Sequence, residues 1–268
     1  MLEIELLTQV ARNGRVYDLE QPRVMGMPIS ANHPPYTMAL MRRHGDEVRP
    51  DGVSSANELV TMGCHNGTHF DALGHVSKDG TCHGGLVAAD IQRGAKGLTK
   101  LGIETVAPMV CRGVLLDIPA IRGVTCLDAA EEVTADDLEA ACQRQGLRIE
   151  SGDAVLIRTG WAQHWADKER FKGGGIGTPG IGAAGGRWLA ERGIRIGGGE
   201  SITFEQVVHW RAQLPVHAIF LVEHGIHIIE VMNLEELARD GVHTFLFVAL
   251  PLKFVGATGS PVRPVAIA

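Results

Sequence analysis

The stretch from Cys64 to Val76 carries a dense set of side chains that bind metal ions. Three of the twelve histidines, His65, His69 and His75, lie here together with Asp71. Imidazole nitrogens and carboxylate oxygens are the donors that Zn²⁺ and similar divalent ions prefer. A single histidine in a glycine-containing loop is usually an ordinary polar residue. Four ligand-type residues within eleven positions, bracketed by glycines, favour a metal site instead.

The spacing of these residues excludes both a straight strand and a straight helix. In an extended strand the backbones of His65 and His69 would lie about 13 Å apart, which is too far to converge on one ion. On a regular helix these two residues share a face, but Asp71 falls roughly 200° around the axis from His69. The chain must therefore bend, and Gly67 and Gly74 provide the conformational freedom to do so.

Further ligand-type residues lie in the segment 215–241. If residues 226–230 form a strand, then Ile226, Ile228 and Glu230 share one face. A carboxylate on an otherwise apolar face needs a partner, because burying an isolated charge costs several kcal/mol or more. A metal ion would be such a partner. Solvent at the strand end or an arginine would serve equally well on this pattern alone.

Other catalytic motifs are missing or stand in the wrong context. Gly175–Gly180 matches G-x-G-x-x-G, but no apolar strand precedes it and Pro179 lies inside it, so we reject a dinucleotide site. The chain contains neither a G-x-S-x-G nucleophile motif nor an H-E-x-x-H zinc motif. Both absences are compatible with hydrolysis by a metal-activated water.

The segment His65–His75, His-Asn-Gly-Thr-His-Phe-Asp-Ala-Leu-Gly-His, resembles the His-x-Gly-Thr-His-x-Asp-x-x-x-His signature of the cyclase family of metal-dependent hydrolases. That family includes bacterial kynurenine formamidases and isatin hydrolases. The resemblance extends to His217, Glu230 and the segment 251–264, and covers most of residues 18–268. It implies an α/β protein with the swivelling β/β/α fold, forming one domain over residues 1–268 that assembles as a homodimer or homotetramer.

The resemblance also implies a division of roles among these residues. Five residues are expected to bind the metal ion, Zn²⁺ or Mn²⁺: His65, His69, Asp71, His217 and Glu230. Glu230 and His217 would either complete one site or bridge a second ion. His224 and His227 compete with His217 for its place.

His75 is expected to be the general acid/base, because an imidazole with an ordinary pKa near 6.5 can take and return a proton. Its alternative role is to orient Asp71. The implied reaction is metal-dependent hydrolysis of an amide-type C–N bond in a cyclic or aryl amide. Two alternatives stay open at the same site: a lyase or cyclase acting on a small carbonyl compound, and a non-catalytic metal-dependent binding module.

The hydrophobic pattern predicts a mixed α/β chain dominated by sheet. Apolar runs predict strands at 110–119, 153–159 and 243–252. Residues 134–137, Thr-Ala-Asp-Asp, have the form of a capping box that opens a helix, and Gly146 ends it. Residues 1–45 are expected to form an extended N-terminal arm, because its second half is rich in proline.

Glycine-rich segments are expected to lie outside the regular elements. Residues 173–186, which contain eight glycines, are predicted to form a mobile loop that leads into a helix over 187–192. A strand at 194–196 is predicted to end before the three glycines at 197–199, and residues 258–262 are predicted to form a turn.

The composition bounds the class of protein and its partners. Hydrophobic residues make up 45% of the 268 residues and the formal net charge is −6, so neither disorder nor a nucleic-acid or anionic-membrane partner is expected. The N-terminus lacks a basic signal-peptide region, and no apolar run reaches the length of a membrane span. Five cysteines without a Cys-x-x-Cys pair indicate reduced thiols. We expect a cytoplasmic protein that acts on a small molecule.

Overall fold

A nine-stranded mixed sheet is the centre of the computed structural model, which describes residues 4–209 and 213–268. The strands are β1 (Val16–Asp18), β2 (Thr37–Arg42), β3 (Asn57–Thr61), β4 (His69–Asp71), β5 (Thr81–Cys82), β6 (Leu86–Val87), β7 (Met109–Asp117), β8 (Glu132–Val133), β9 (Ala154–Arg158), β10 (Gly177–Thr178), β11 (Gly180–Ile181), β12 (Ile196–Gly199), β13 (Val207–Val208), β14 (His227–Glu230), β15 (Thr244–Ala249), β16 (Gly259–Pro261) and β17 (Val265–Ile267).

Helices cover the sheet and connect its strands. The α-helices are α1 (Ile4–Asn13), α2 (Ala88–Ile91), α3 (Ile118–Arg122), α4 (Ala135–Gln145), α5 (Lys168–Phe171), α6 (Ala183–Glu191), α7 (Pro215–His217) and α8 (Glu235–Arg239). Short 3₁₀ helices lie at His83–Gly85, Gly94–Lys96, Ile103–Thr105 and Trp161–His164, and a π-helix follows α7 at Ala218–His224. Within the described ranges, no helix is long and apolar enough to span a membrane.

The large sheet has a parallel centre and antiparallel margins. Its order is β1-β17-β15-β7-β9-β12-β14-β4-β16, and the four strands from β7 to β14 run parallel. Parallel strands are buried on both faces: Leu115 and Leu156 pack into one apolar cluster, and Val114 and Val155 pack into another. The predicted α/β class and the strands at 110–119, 153–159 and 243–252 are confirmed as β7, β9 and β15.

The predicted helix after residue 134 is confirmed in detail. Thr134 accepts a hydrogen bond from the backbone N–H of Asp137, and Asp137 accepts one in return from the backbone of Thr134. Gly146 ends α4 in the left-handed conformation, with φ at +63°. Leu138 and Ala141 are buried against the sheet, as an amphipathic helix requires.

The prediction that glycine-rich segments lie outside regular elements is wrong in two places. Residues 197–199 form most of β12, because they pair with β9 and β14. A Cβ at Gly197 would lie 2.6 Å from Phe220 Cε2, so glycine is the residue that fits in this strand. Residues 173–186 contain β10, β11 and the first turn of α6. A Cβ at Gly180 would lie 2.6 Å from the backbone nitrogen of Gln206, so glycine allows two backbones to approach closely.

Two further predictions are corrected at the ends of the chain. The extended arm predicted over residues 1–45 begins with α1, because its prolines start only at Pro22 and the residues before Gly14 include good helix formers. The turn predicted at 258–262 contains β16, since Gly259 and Pro261 pair with β4 at the edge of the sheet, where a proline is tolerated.

One hairpin stands away from the rest of the fold. Strands β2 and β3 pair only with each other in the described structure, and every residue of both strands is exposed. Their exposed side chains include Met38, Leu40 and Leu59. An isolated two-stranded hairpin is marginally stable in water.

Candidate metal centre

Strand β4 brings the central donors together on one face of the sheet. His69 and Asp71 are two positions apart in an extended strand, so their side chains point to the same side. Glu230 of β14 pairs directly with His69 across an antiparallel ladder, which places its carboxylate on that side as well. His69 Nε2 lies 3.3 Å from a Glu230 oxygen and 3.4 Å from Asp71 Oδ1. All three side chains are buried.

The predicted bend between His65 and His69 is confirmed. Residues 65–68 form a turn in which Gly67 adopts φ +63°, and the chain becomes extended only at His69. His65 therefore folds back onto the same site, where its Nδ1 lies 2.8 Å from Asp71 Oδ1 and its Nε2 lies 2.8 Å from Thr258 Oγ1. Both ring nitrogens of His65 are thus engaged by neighbouring side chains, unlike those of His69.

Of the three candidate histidines, His217 lies nearest to the carboxylates of the centre. Its Nε2 lies 3.3 Å from a Glu230 oxygen and 3.7 Å from Asp71 Oδ2, whereas His224 is exposed on the π-helix. His227 Nδ1 hydrogen-bonds the backbone oxygen of Asp71 at 3.0 Å. The structure therefore places His217 with the five other predicted site residues, and His227 at their margin.

Each of the two central histidines has one nitrogen held by the protein and one directed at the carboxylates. His69 Nδ1 lies 2.8 Å from the backbone oxygen of Gly67, a pure acceptor, so this nitrogen carries the proton. His217 Nδ1 is held in the same way by the buried carboxylate of Glu205. Metal-binding histidines typically donate their second N–H to a carbonyl or carboxylate in this manner, which orients Nε2 as a ligand.

The charges in the centre are strongly coupled. Burial alone would lower the pKa of His69 and of His217, but the adjacent carboxylates outweigh burial and raise both pKa values. Burial would raise the pKa of Asp71 and of Glu230, but the surrounding histidines outweigh it and lower both pKa values. The carboxylates and imidazoles of this buried centre therefore shift one another's pKa values in opposite directions.

The donor set fits a divalent cation. Two groups of ligand atoms converge within 4.8 Å, one formed by His69, Asp71 and Glu230 and the other by His65, Asp71 and His75. Asp71 belongs to both groups, and its Oδ2 is buried without a hydrogen-bond partner among the described residues. An unpartnered carboxylate oxygen is costly unless a cation meets it. Nitrogen and oxygen donors in this combination suit a divalent metal.

His75 lies beside the centre and faces a second space. Its ring stacks on His65 with 4.0 Å between centroids. Burial, reinforced by His65 and His217, lowers the pKa of His75 to about 4 against the opposing effect of Asp71. A cavity of about 170 Å³ reaches His75, and Thr258 also lines it. His75 is therefore a neutral imidazole within reach of water.

Three residues that contact the centre were not found from the sequence. Glu205 holds His217, Thr258 contacts His65, and His33 of the N-terminal segment lies 3.2 Å by its Nδ1 from the backbone oxygen of His65. No other metal-ligand residues at a regular spacing surround Glu205 in the sequence, and Thr258 lies in the segment 251–264, where the resemblance assigned no site residue. Only His33, on the proline-rich arm, offered a signal.

Comparison with known proteins decides the family. Residues 17–206 match the family model described as cyclase. The chain belongs to the Cyclase family. It is 25% identical over 234 residues to the isatin hydrolase of Roseibium aggregatum, and the match covers 82% of this chain and 78% of the relative.

Solved structures of Cyclase-family proteins share the architecture. A structure described as a novel cyclase superposes with a TM-score of 0.88 at 30% identity, covering 98% of this chain and 93% of the other. Isatin hydrolase A from Ralstonia solanacearum superposes with a TM-score of 0.76 at 26% identity, covering 100% of this chain and 97% of the other. The predicted cyclase-family α/β fold is thereby confirmed.

Proposed function

We propose that this protein is a metal-dependent hydrolase that cleaves an amide-type C–N bond in a cyclic or aryl amide. The observation that carries the proposal is the convergence of His69, Asp71, Glu230 and His217, with both Nε2 atoms aimed at the carboxylates. The similarity to isatin hydrolases supports the substrate class, because isatin is a cyclic aryl amide.

We assign the ion, Zn²⁺ or Mn²⁺, to the donor atoms around Asp71. His69, Asp71, Glu230 and His217 would hold it, and His65 would either join them or orient Asp71 through its 2.8 Å contact. A divalent ion bound here would supply Lewis acidity, which activates a water molecule and polarises a carbonyl group. Glu205 and the Gly67 carbonyl keep the two central imidazoles in the tautomer that this task requires.

His75 is the proposed general acid/base. As a neutral imidazole it accepts the proton of the attacking water while the new C–O bond forms at the amide carbon. It then returns that proton to the leaving nitrogen as the C–N bond breaks, so that a carboxylic acid and an amine are the products. The stacking of His75 on His65 fixes the plane of its ring during both transfers.

A cavity is lined in part by the N-terminal segment that also contacts the centre. Its volume is about 370 Å³, and its walls include Ile29 and Asn32 of the N-terminal segment, together with Lys172 and Ile202. Asn32 immediately precedes His33, which contacts the backbone of His65. Pockets for small ligands start at about this volume, which supports a small-molecule substrate.

Metal analysis combined with product analysis tests the proposal. The purified protein, loaded with Zn²⁺ or Mn²⁺, is given isatin or N-formylkynurenine, and the products are identified by mass spectrometry. Gain of one water per substrate, lost when the metal is chelated, is the expected result. A product without added water would instead favour a lyase or cyclase. Bound metal without turnover of any amide would point to a binding module.

We further propose that a second copy of this chain covers the β2–β3 hairpin. The hairpin exposes Leu40 and Met41 to solvent, and a groove of about 730 Å³ at its base is lined by Tyr36, Leu252 and Phe254. An exposed apolar ribbon beside an apolar groove on the same chain supports an assembly of identical copies. Light scattering should give at least a dimer, and Leu40→Glu should shift it towards the monomer, whereas a monomeric parent would refute the assembly.

A further inference from the structure

The two strands that carry the centre are joined beyond their last backbone pair by a side chain. The pairing of β4 with β14 ends at His69 and Glu230. In the next position of each strand, the Thr68 hydroxyl donates a 2.6 Å hydrogen bond to the backbone oxygen of Val231. The same hydroxyl accepts a 2.8 Å hydrogen bond from the backbone N–H of Gln21. All three of these groups are buried.

The direction of both hydrogen bonds is fixed by the chemistry of the partners. A backbone N–H can only donate and a backbone carbonyl can only accept, so the single proton of the Thr68 hydroxyl must point at Val231. A hydroxyl is the smallest group that can satisfy both partners at once. The N-terminal segment at Gln21 is thereby connected to the residue that follows Glu230.

Val231 adopts a backbone conformation that its side chain disfavours. Its φ is +58°, in the left-handed region, where a β-branched residue is a true outlier. The rest of the residue is also held: its N–H donates to the Ser201 oxygen at 3.1 Å, and its side chain packs with Trp161 and Phe171. Strained residues persist only where their surroundings fix them, and they cluster at functional sites.

We infer that Thr68 is a positioning residue for Glu230 that acts by restraining Val231. Without the hydroxyl, Val231 would relax towards a negative φ and carry the adjoining Glu230 carboxylate away from His69 and His217. The inference rests on the proposed role of Glu230 as a metal ligand. It assigns to Thr68 no contact with the ion or the substrate.

Metal affinity is the direct readout of this role. Thr68→Val keeps the shape of the side chain and removes both hydrogen bonds, so it should weaken Zn²⁺ binding by about 10- to 100-fold, the usual effect of losing a group that orients a ligand. Thr68→Ser keeps the hydroxyl and should bind Zn²⁺ like the parent. Affinities are measured by competition with a chromogenic chelator, at a temperature where circular dichroism shows every variant folded.

Two substitutions at position 231, to glycine and to alanine, test whether Thr68 acts by holding Val231 at its positive φ or only by stabilising the surrounding structure. Both substitutions remove the packed side chain, but only glycine reaches φ +58° without steric cost. In the Thr68→Val background, the Val231→Gly variant should bind Zn²⁺ about tenfold more tightly than the Val231→Ala variant. The reason is that the left-handed region costs free energy for alanine, which has a Cβ, and not for glycine.

The two claims fail in different ways. Parental Zn²⁺ affinity in Thr68→Val, or equal affinities of the glycine and alanine double variants, would overturn the role of Thr68 and leave the metal centre in place. A parent that bound neither Zn²⁺ nor Mn²⁺ would overturn the proposed function and this inference together.

Discussion

Glu200 offers a quantitative test of the electrostatics of the fold. It follows β12, is 1% exposed, and accepts three hydrogen bonds on Oε2, from the backbone N–H groups of Thr159 and Gly160 and from the Thr159 hydroxyl. Its Oε1 is buried without a hydrogen-bond partner among the residues described. Burial and the nearby Glu235 raise the pKa of Glu200 to about 7, against the opposing effect of Arg158 and Thr159.

The sign and size of the stability effect follow from this pKa. The folded protein binds the proton of Glu200 more tightly than the unfolded chain, so the contribution of Glu200 to stability is most favourable below the ordinary pKa of 4.5 and is lost as the pH rises to about 7. One pKa unit corresponds to about 1.4 kcal/mol, so the ionised group costs about 3 kcal/mol at and above pH 8 or so. Glu200→Gln removes the ionisation and keeps the shape.

Urea unfolding followed by tryptophan fluorescence measures the effect. At about pH 8 the Glu200→Gln variant should have a free energy of unfolding about 3 kcal/mol above that of the parent, and the gap should close as the pH falls towards 4.5. Glu169→Gln is the control, because the Glu169 side chain is 78% exposed and should leave the curve unchanged. A gap that does not vary with pH, or a parent more stable than the variant at pH 8, would refute the reasoning.

Three further predictions concern catalysis, packing and capping. His75→Asn should lower turnover by about 10²- to 10⁴-fold with bound metal unchanged, as loss of a general base does. If the variant instead lost its metal, His75 would be a metal ligand and not the general base. Gly197→Ala should lower the free energy of unfolding by about 1–3 kcal/mol, since its Cβ would lie 2.6 Å from Phe220, and an unchanged urea midpoint would contradict this packing. Thr134→Ala should cost about 1 kcal/mol by removing the α4 cap, with Thr134→Ser as the near-neutral control in the same urea titration.

Sequence patterns were sufficient where a local rule governs the structure. The cap at Thr134, the glycine at position 146 and the apolar runs of β7, β9 and β15 each follow from neighbouring residues alone. The bend at Gly67 was also predictable, because neither regular geometry could bring His65 and His69 together.

Other features depend on residues that are distant in sequence. Gly197 belongs to a strand because it pairs with β9 and β14, and Phe220 fills the space where its side chain would be. Glu205 holds His217 from a segment without any pattern of ligand spacing. The position of His217 beside Glu230 depends on the path of the chain between α7 and β14, which no periodicity specifies.

The metal centre itself is tested most directly by one comparison of metal affinities. Asp71→Asn removes the charge shared by both groups of donors, whereas His227→Asn alters a histidine whose Nδ1 hydrogen-bonds the backbone oxygen of Asp71. The parent and His227→Asn should each bind Zn²⁺ or Mn²⁺ tightly after reconstitution, and Asp71→Asn should bind at least about 100-fold more weakly. A parent that binds neither ion, or an Asp71→Asn variant with parental affinity, would contradict the assignment of this centre.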